Sequence, residues 1–126
     1  MSNRPLSPHL QVYRLPLLPI VSILTRGAAI ILFFGIPVFA TWIIALGLGE
    51  EAYRFVTGIL TSPLGLIALI SWTLAFYWHM SNGIRHFIQD TGRALTIASA
   101  EHAAYICIVF TFVMTTLPWA LIWGLS

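Results

Sequence analysis

Phe55–Ile84 reads FVTGILTSPLGLIALISWTLAFYWHMSNGI, a run of thirty residues without Lys, Arg, Asp or Glu. A helix needs about 20 predominantly apolar residues to cross a bilayer core of ~30 Å, so this run is long enough to span a membrane. Two further charge-free runs, Gly27–Gly49 and His102–Ser126, lie on either side of it. The sequence therefore predicts an all-α membrane protein with three transmembrane helices.

The composition of the whole chain supports this class. Of its 126 residues, 59% are hydrophobic and only 8% are charged, whereas about a quarter of the residues in a soluble domain are charged. Little of the chain remains outside the membrane, so we expect one membrane domain over residues 1–126 and no soluble catalytic domain. The predicted segments are a proline-rich surface segment at 1–18, an outer loop with room for a short interfacial helix at 49–60, and helices at about 20–47, 63–89 and 99–124.

The charges predict how the chain lies across the membrane. All six basic residues are arginines. Arg4, Arg14 and Arg26 lie before or at the start of the first span, and Arg85 and Arg93 flank the loop after the second span. The loop after the first span carries Glu50, Glu51 and Arg54. The positive-inside rule then gives a cytoplasmic N-terminus and a periplasmic C-terminus. The formal charge of +2 follows from this topology and gives no reason to expect nucleic-acid binding.

The start of the sequence carries no recognisable targeting signal. It is polar and rich in proline, without a small-residue cleavage site and without the pattern of an organelle transit peptide. We therefore expect a protein of the bacterial inner membrane, embedded in the lipid bilayer.

His79 is an ionisable residue inside the second span, and such residues usually mark a functional site. Residues spaced by three and four share a helix face, and the face that contains His79 is small and polar: Ala68, Trp72, Ala75, His79, Asn82 and His86. Ala75 and Gly83 lie one turn on either side of His79 and leave clearance for a planar macrocycle. A neutral imidazole in an apolar pocket is a common axial ligand of haem iron. The spacing alone leaves three uses open, namely haem ligation, a hydrogen bond between helices and proton transfer.

The other reactive side chains carry weaker signals. His86 lies two turns after His79, a rise of ~10.5 Å, which is too close for a second stacked haem and too far for a shared metal. Arg85 is predicted near the cytoplasmic end, where its side chain can snorkel to headgroups, propionates or a partner. Cys107 is the single cysteine, so this chain alone can build neither a disulfide nor a cysteine-based metal site.

Three blocks of sequence together resemble a known family. They are SPHLQVY at 7–13, SILTR at 22–26 and HMSNGIRHFIQD at 79–90. In this order and setting the chain resembles the cytochrome b556 subunit of succinate dehydrogenase (complex II), the larger of its two membrane anchors, over its whole length. The resemblance implies half of a heterodimeric haem-binding helix bundle. Its partners would be a second membrane-anchor subunit, an iron–sulphur subunit and a flavoprotein subunit, which together pass electrons from succinate to ubiquinone.

The resemblance also implies roles for individual residues. His79 corresponds to the axial ligand of one haem b, whose other axial histidine comes from the second anchor. Ser22 and Arg26 match the quinone site of the family, where a hydroxyl can donate to a carbonyl and a fixed positive charge can stabilise a developing oxyanion. The surroundings of the haem would include Thr25, Arg26, Asn82, Gly83 and His86. Docking to the soluble subunits would involve Ser7, Pro8, His9 and Asp90.

One residue departs from the pattern of the family. Thr25 stands where the family has a histidine associated with a haem propionate and the quinone pocket. A hydroxyl can donate a hydrogen bond, but it carries no proton that titrates near neutral pH. Arg26 would then provide more of the charge compensation.

Two alternatives to this function differ in class. A fumarate reductase anchor would run the same chemistry in reverse, and the potential of the quinone rather than the sequence decides the direction. A non-redox transporter subunit or scaffold would use His79 only to bind another helix, but such a protein has no reason to carry all three blocks.

Overall fold

A computed structural model describes residues 14–126 of the chain, so the predicted docking residues Ser7, Pro8 and His9 lie outside the described part. The chain forms four helices, α1 (Leu17–Leu48), α2 (Glu50–Leu60), α3 (Pro63–Asp90) and α4 (Ile97–Leu125), and the described residues contain no strand. Three of these helices, α1, α3 and α4, are long and apolar enough to cross a membrane. The predicted all-α fold with three spans is confirmed.

The first span begins earlier than the predicted position near residue 20, at Leu17. Pro19 therefore lies inside the first turn, which tolerates it because the first four N–H groups of a helix have no intrahelical acceptor. The helix also continues through Pro37. It ends at Gly49, whose φ of 117° lies in a region that side chains with a Cβ rarely adopt. This glycine allows the abrupt change of direction into α2.

Residues 50–60, predicted as part of a loop with room for a short helix, form the complete helix α2. An ion pair within this helix joins Arg54 to Glu50 at 2.6 Å, and the Trp42 indole Nε1 donates to the Thr57 hydroxyl at 3.2 Å. The second of these contacts ties α2 to the end of α1. The helix is amphipathic, with its acidic residues in the first turn, which suits a position at the membrane surface.

The two later spans begin with side-chain caps. Ser62 precedes α3, its hydroxyl accepts a hydrogen bond from the Gly65 backbone N–H at 3.2 Å, and Pro63 occupies the first helical position. Thr96 caps α4 in the same way by accepting from the Ser99 N–H at 3.2 Å. Both caps satisfy backbone donors that a helix start would otherwise leave unpaired. The cap moves the start of α4 to residue 97, two residues before the predicted position.

The interior of the bundle consists of small residues. Its buried apolar members are Val21, Ala28, Ala45, Ala75, Ala100, Ala104 and Cys107. Small side chains let helix backbones approach closely, as is common in membrane proteins. Where α1 meets α3, the missing side chain of Gly35 makes room for the Trp72 indole, which a Cβ at that position would overlap. Most of the large apolar side chains instead face outward, where lipid or a partner protein can cover them.

Antiparallel packing of α3 against α4 fixes the register of the bundle. The Cys107 Sγ lies 3.5 Å from the Ser81 carbonyl oxygen, and the hydroxyls of Ser81 and Thr111 are 3.3 Å apart. These polar contacts are buried. Cys107 is therefore a packing residue at a helix crossing.

Candidate functional site

His79 faces the outside of the three-span bundle. It is an exposed residue of α3, and its separation in sequence from the two ends of the helix corresponds to ~24 Å from Pro63 and ~16 Å from Asp90. Among residues 14–126, no hydrogen bond to another side chain or to the backbone holds its imidazole. The ring is therefore available to a group that does not belong to this part of the chain.

An open surface continues from His79 along α3 toward the end of the helix. Gly83 and His86 lie one and two turns further on the same face, and both are exposed. A Cβ added at Gly83 would meet no heavy atom within 4 Å. We call His79, Gly83 and His86 the His79 strip.

Asn82 lies on the inner side of α3, away from the His79 strip. It is completely buried, with 0% of its surface exposed. Its Nδ2 donates to the Trp78 carbonyl at 3.0 Å, and its Oδ1 accepts from the Arg85 Nε at 3.2 Å. Three residues along a helix turn a side chain about 60° away from its starting direction, so Asn82 and His79 point to different sides of α3. The predicted place of Asn82 in the surroundings of a haem stays a prediction.

Arg85 also lies on the inner side of α3. The sequence left headgroups, propionates and a partner open as contacts of its side chain, and only 8% of the residue is exposed. Ser81 and Trp78 precede it by four and seven residues and line the same inner face of α3. Sequence analysis had a signal for this orientation, because that spacing joins Arg85 to a row of residues that face α4.

The predicted quinone residues lie at the start of α1. Ser22 is half-buried and Arg26 is exposed, and their spacing of four puts them on one side of the helix. Between them, the Thr25 hydroxyl donates to the Val21 carbonyl at 2.7 Å. The hydrogen-bond donor that we expected Thr25 to offer is thus already used within α1.

The remaining predicted site residue, Asp90, is exposed at the last position of α3. Within the described residues, no three side chains of the His, Cys, Asp and Glu types gather to form a metal site. A metal site at His79 with three or more such ligands would therefore need at least one from outside the described residues.

The fold and the His79 strip define a class: a membrane-embedded helical subunit that presents a single histidine outward from the middle of a span. Comparison with known proteins then identifies the family. Residues 1–117 match the family model for the succinate dehydrogenase/fumarate reductase transmembrane subunit, and the chain belongs to this family.

Individual relatives agree with the family model. The chain is 38% identical over 115 residues to the succinate dehydrogenase cytochrome b556 subunit of Paracoccus denitrificans, an alignment that covers 91% of this chain and 88% of the relative. It is 30% identical over 118 residues to the subunit of the same name from Rickettsia felis, with 94% and 92% covered. The mitochondrial cytochrome b560 subunit of Sus scrofa is 35% identical over 113 residues, which are 87% of this chain and 66% of that protein.

Proposed function

We propose that the chain is the membrane-anchor subunit of a succinate:ubiquinone oxidoreductase, and that it binds one haem b jointly with a second anchor. The observation that carries the proposal is the exposed His79 beside the open surface at Gly83. A histidine that served only as a link between the helices of this chain would be buried with a partner. His79 instead faces outward, so its partner is a group held between two chains.

The residues present fit a haem. The imidazole, which no described residue holds by a hydrogen bond, would provide one ligand nitrogen, and the missing side chain at Gly83 would leave space for the group beside it. As the resemblance to the family implies, the second axial histidine would come from the other anchor. A bound haem supplies one-electron redox chemistry. His86, two turns away on the same strip, lies near the expected level of the propionates.

The quinone would bind beside the first turns of α1. Ser22 donates a hydrogen bond to a quinone carbonyl, while Arg26 holds a fixed positive charge near the oxygen on which negative charge develops. The Thr25 hydroxyl is bound to its own helix, so Arg26 is the main source of charge compensation here. Protons would reach this site from the water at the end of the span.

The distribution of charge supports a cytoplasmic position for this end of the bundle. Arg14 and Arg26 flank the start of α1 and Arg93 lies in the α3–α4 loop, whereas α2 at the opposite end begins with Glu50 and Glu51. By the positive-inside rule the chain would lie in a bacterial inner membrane with its C-terminus in the periplasm. The iron–sulphur subunit and the flavoprotein would then dock at the cytoplasmic end, where Asp90 is exposed, and deliver electrons close to Ser22.

The proposal is tested with the chain purified together with its co-expressed partner subunits. We expect succinate to produce the reduced absorption bands of a b-type haem in the wild-type complex, and we expect His79→Leu to alter or abolish them. His102→Leu is the matched control, since His102 is exposed on α4 and its Nδ1 contacts the Ala98 carbonyl of its own helix at 2.7 Å. An unaltered spectrum in His79→Leu would exclude this histidine as a ligand. A wild-type complex without any succinate-reducible b band would contradict the proposed function itself.

A further inference from the structure

Arg85 is a buried cation at one end of the bundle. Its guanidinium stays charged under all physiological conditions, yet only 8% of the residue is exposed. The one hydrogen bond that its side chain makes within residues 14–126 runs from Nε to the Asn82 Oδ1, a neutral acceptor, at 3.2 Å. A largely buried charge without an opposite charge is unfavourable, so this position favours an anion.

The chain itself does not supply that anion. It contains four acidic residues, of which Glu50 and Glu51 lie at the opposite end of the bundle. Asp90 and Glu101 lie at the same end as Arg85, but the Arg54–Glu50 pair is the one ion pair that the described residues form. Residues 1–13 contain neither Asp nor Glu. Those residues could therefore offer neutral oxygen atoms to Arg85 but no negative side chain.

The part of α4 beside Arg85 is small and apolar. The contact between Cys107 and Ser81, together with the antiparallel packing of α3 and α4, puts Arg85 level with Ala104, one turn nearer the end of the bundle. Ala104 and Ala100 are both buried and present only methyl groups. Asn82 accepts from Nε, and the terminal nitrogens, which donate to no other described residue, form a fork, the geometry that binds both oxygens of a carboxylate.

We infer that Arg85 binds a carboxylate side chain of the iron–sulphur subunit when that subunit docks on the cytoplasmic end of the bundle. The inference rests on the proposed function, which supplies the docking partner. A protein carboxylate fits better than a lipid phosphate because Arg85 points into the bundle. Arg26 and Arg93 are exposed and are the side chains that lipid headgroups meet first. Arg85 lies five residues before Asp90, the last residue of α3. This separation corresponds to ~7.5 Å along the helix axis, a depth that an inserted side chain can reach.

A cross-linking experiment on the intact complex can identify the partner carboxylate. The chain contains no lysine, so the Arg85→Lys variant gains a single side-chain amine. A membrane-permeant carbodiimide activates a carboxylate, and the amine then displaces the activating group to form an amide bond. Only a carboxylate in direct contact reacts, and mass spectrometry locates the bond. Arg93→Lys is the matched control, since it adds an exposed amine at the same end of the bundle.

A second variant tests the same interaction without a cross-linking reaction. Arg85→Met removes the charge and keeps an apolar stem of similar length. If Arg85 has no ionic partner, this change leaves the complex as stable as before, because burying methionine costs less than burying an unpaired charge. If Arg85 binds a carboxylate, the change leaves that carboxylate buried alone. We then expect at least a tenfold faster loss of the soluble subunits, measured as the ratio of flavin to anchor chain during washing with salt.

The inference is supported by a cross-link from Arg85→Lys to an Asp or Glu of the iron–sulphur subunit, together with accelerated flavin loss from Arg85→Met. A cross-link from Arg85→Lys to Asp90, to Glu101 or to the second anchor overturns it. The absence of any cross-link from Arg85→Lys also overturns it when Arg93→Lys does react. Wild-type flavin retention in Arg85→Met also overturns it. If Arg85→Met fails to fold, the cross-link decides alone. The succinate-reduced spectrum of the wild-type complex is recorded in parallel, so a failure of the proposed function is recognised separately.

Discussion

Gly83→Leu separates ligand binding from folding more cleanly than a change at His79 does. A Cβ atom added at residue 83 meets no heavy atom of the chain within 4 Å. Replacing a helical glycine by leucine should even favour α3, because glycine is about 0.8–1 kcal/mol less favourable in a helix than the best helix formers. The fold of the subunit therefore gives no reason for Gly83→Leu to be harmful.

If His79 binds a haem, Gly83→Leu should weaken haem binding although it does not destabilise the helix. Residue 83 lies one helical turn from His79, where Cβ atoms are ~5–6 Å apart, and a leucine there extends into the space that a macrocycle on the imidazole would occupy. Overpacking of this kind costs about 1–3 kcal/mol, which corresponds to roughly 5- to 150-fold weaker binding. The expected outcome is a normal or slightly more stable subunit that carries much less haem.

The assay measures haem per anchor chain in the purified complex and thermal unfolding of the same sample. Gly58→Leu is the matched control, since Gly58 is also helical and a Cβ there also meets nothing within 4 Å, but it lies on α2. Full haem content in Gly83→Leu would refute the reasoning, because the macrocycle would then lie away from the His79 strip. An equal loss of haem in Gly58→Leu would assign the effect to general disturbance of the membrane domain.

Three further changes test other parts of the molecule. Arg26→Leu should lower the rate of quinone reduction by about two orders of magnitude, as expected for the loss of a group that stabilises a developing oxyanion. The haem spectrum of this variant should largely survive. Activity equal to that of the control variant Arg93→Leu would remove Arg26 from the site. Gly35→Val should destabilise the bundle by about 1–3 kcal/mol, because its side chain collides with the Trp72 indole, and thermal unfolding at an unchanged temperature would contradict that packing. Thr115→Val should leave the unfolding temperature unchanged or raise it. The Thr115 Oγ1 is buried without a hydrogen-bond partner in the described part of the chain, and such a group costs free energy. A clear loss of stability would mean that this hydroxyl has a partner.

The sequence predicted the three spans because the absence of charge over a bilayer-length run decides that a helix enters the membrane. It predicted the start of the second span at residue 63, where Ser62 and Pro63 both have specific backbone preferences at a helix start. Residues 50–60 were harder to predict, since a charged and glycine-containing segment of this length suits a loop as well as a short helix. The contact of Trp42 with Thr57, which ties α2 to α1, is a tertiary feature that local preference does not contain.

Helical periodicity gave the relative directions of the side chains of α3, but not their absolute directions. The predicted face joined His79 and His86 with Ala75 and Asn82, but the last two residues are buried, and the exposed strip contains Gly83 instead. Whether that strip faces lipid or the bundle depends on how α3 is rotated against α4, and buried contacts such as the one between Ser81 and Thr111 set this rotation. The inward direction of Arg85 has the same origin, because a hydropathy pattern alone assigns a charge near the end of a span to the membrane surface.

The alanine-rich interior leaves most of the large apolar surface of the chain on the outside. Its largest fully buried apolar side chain is Val21, and most of its large apolar side chains face outward. The helices therefore bury that surface against molecules other than this chain. On the proposed function, those molecules are lipid and the second anchor, so docking of the two anchors would complete the apolar interior that each of them lacks alone.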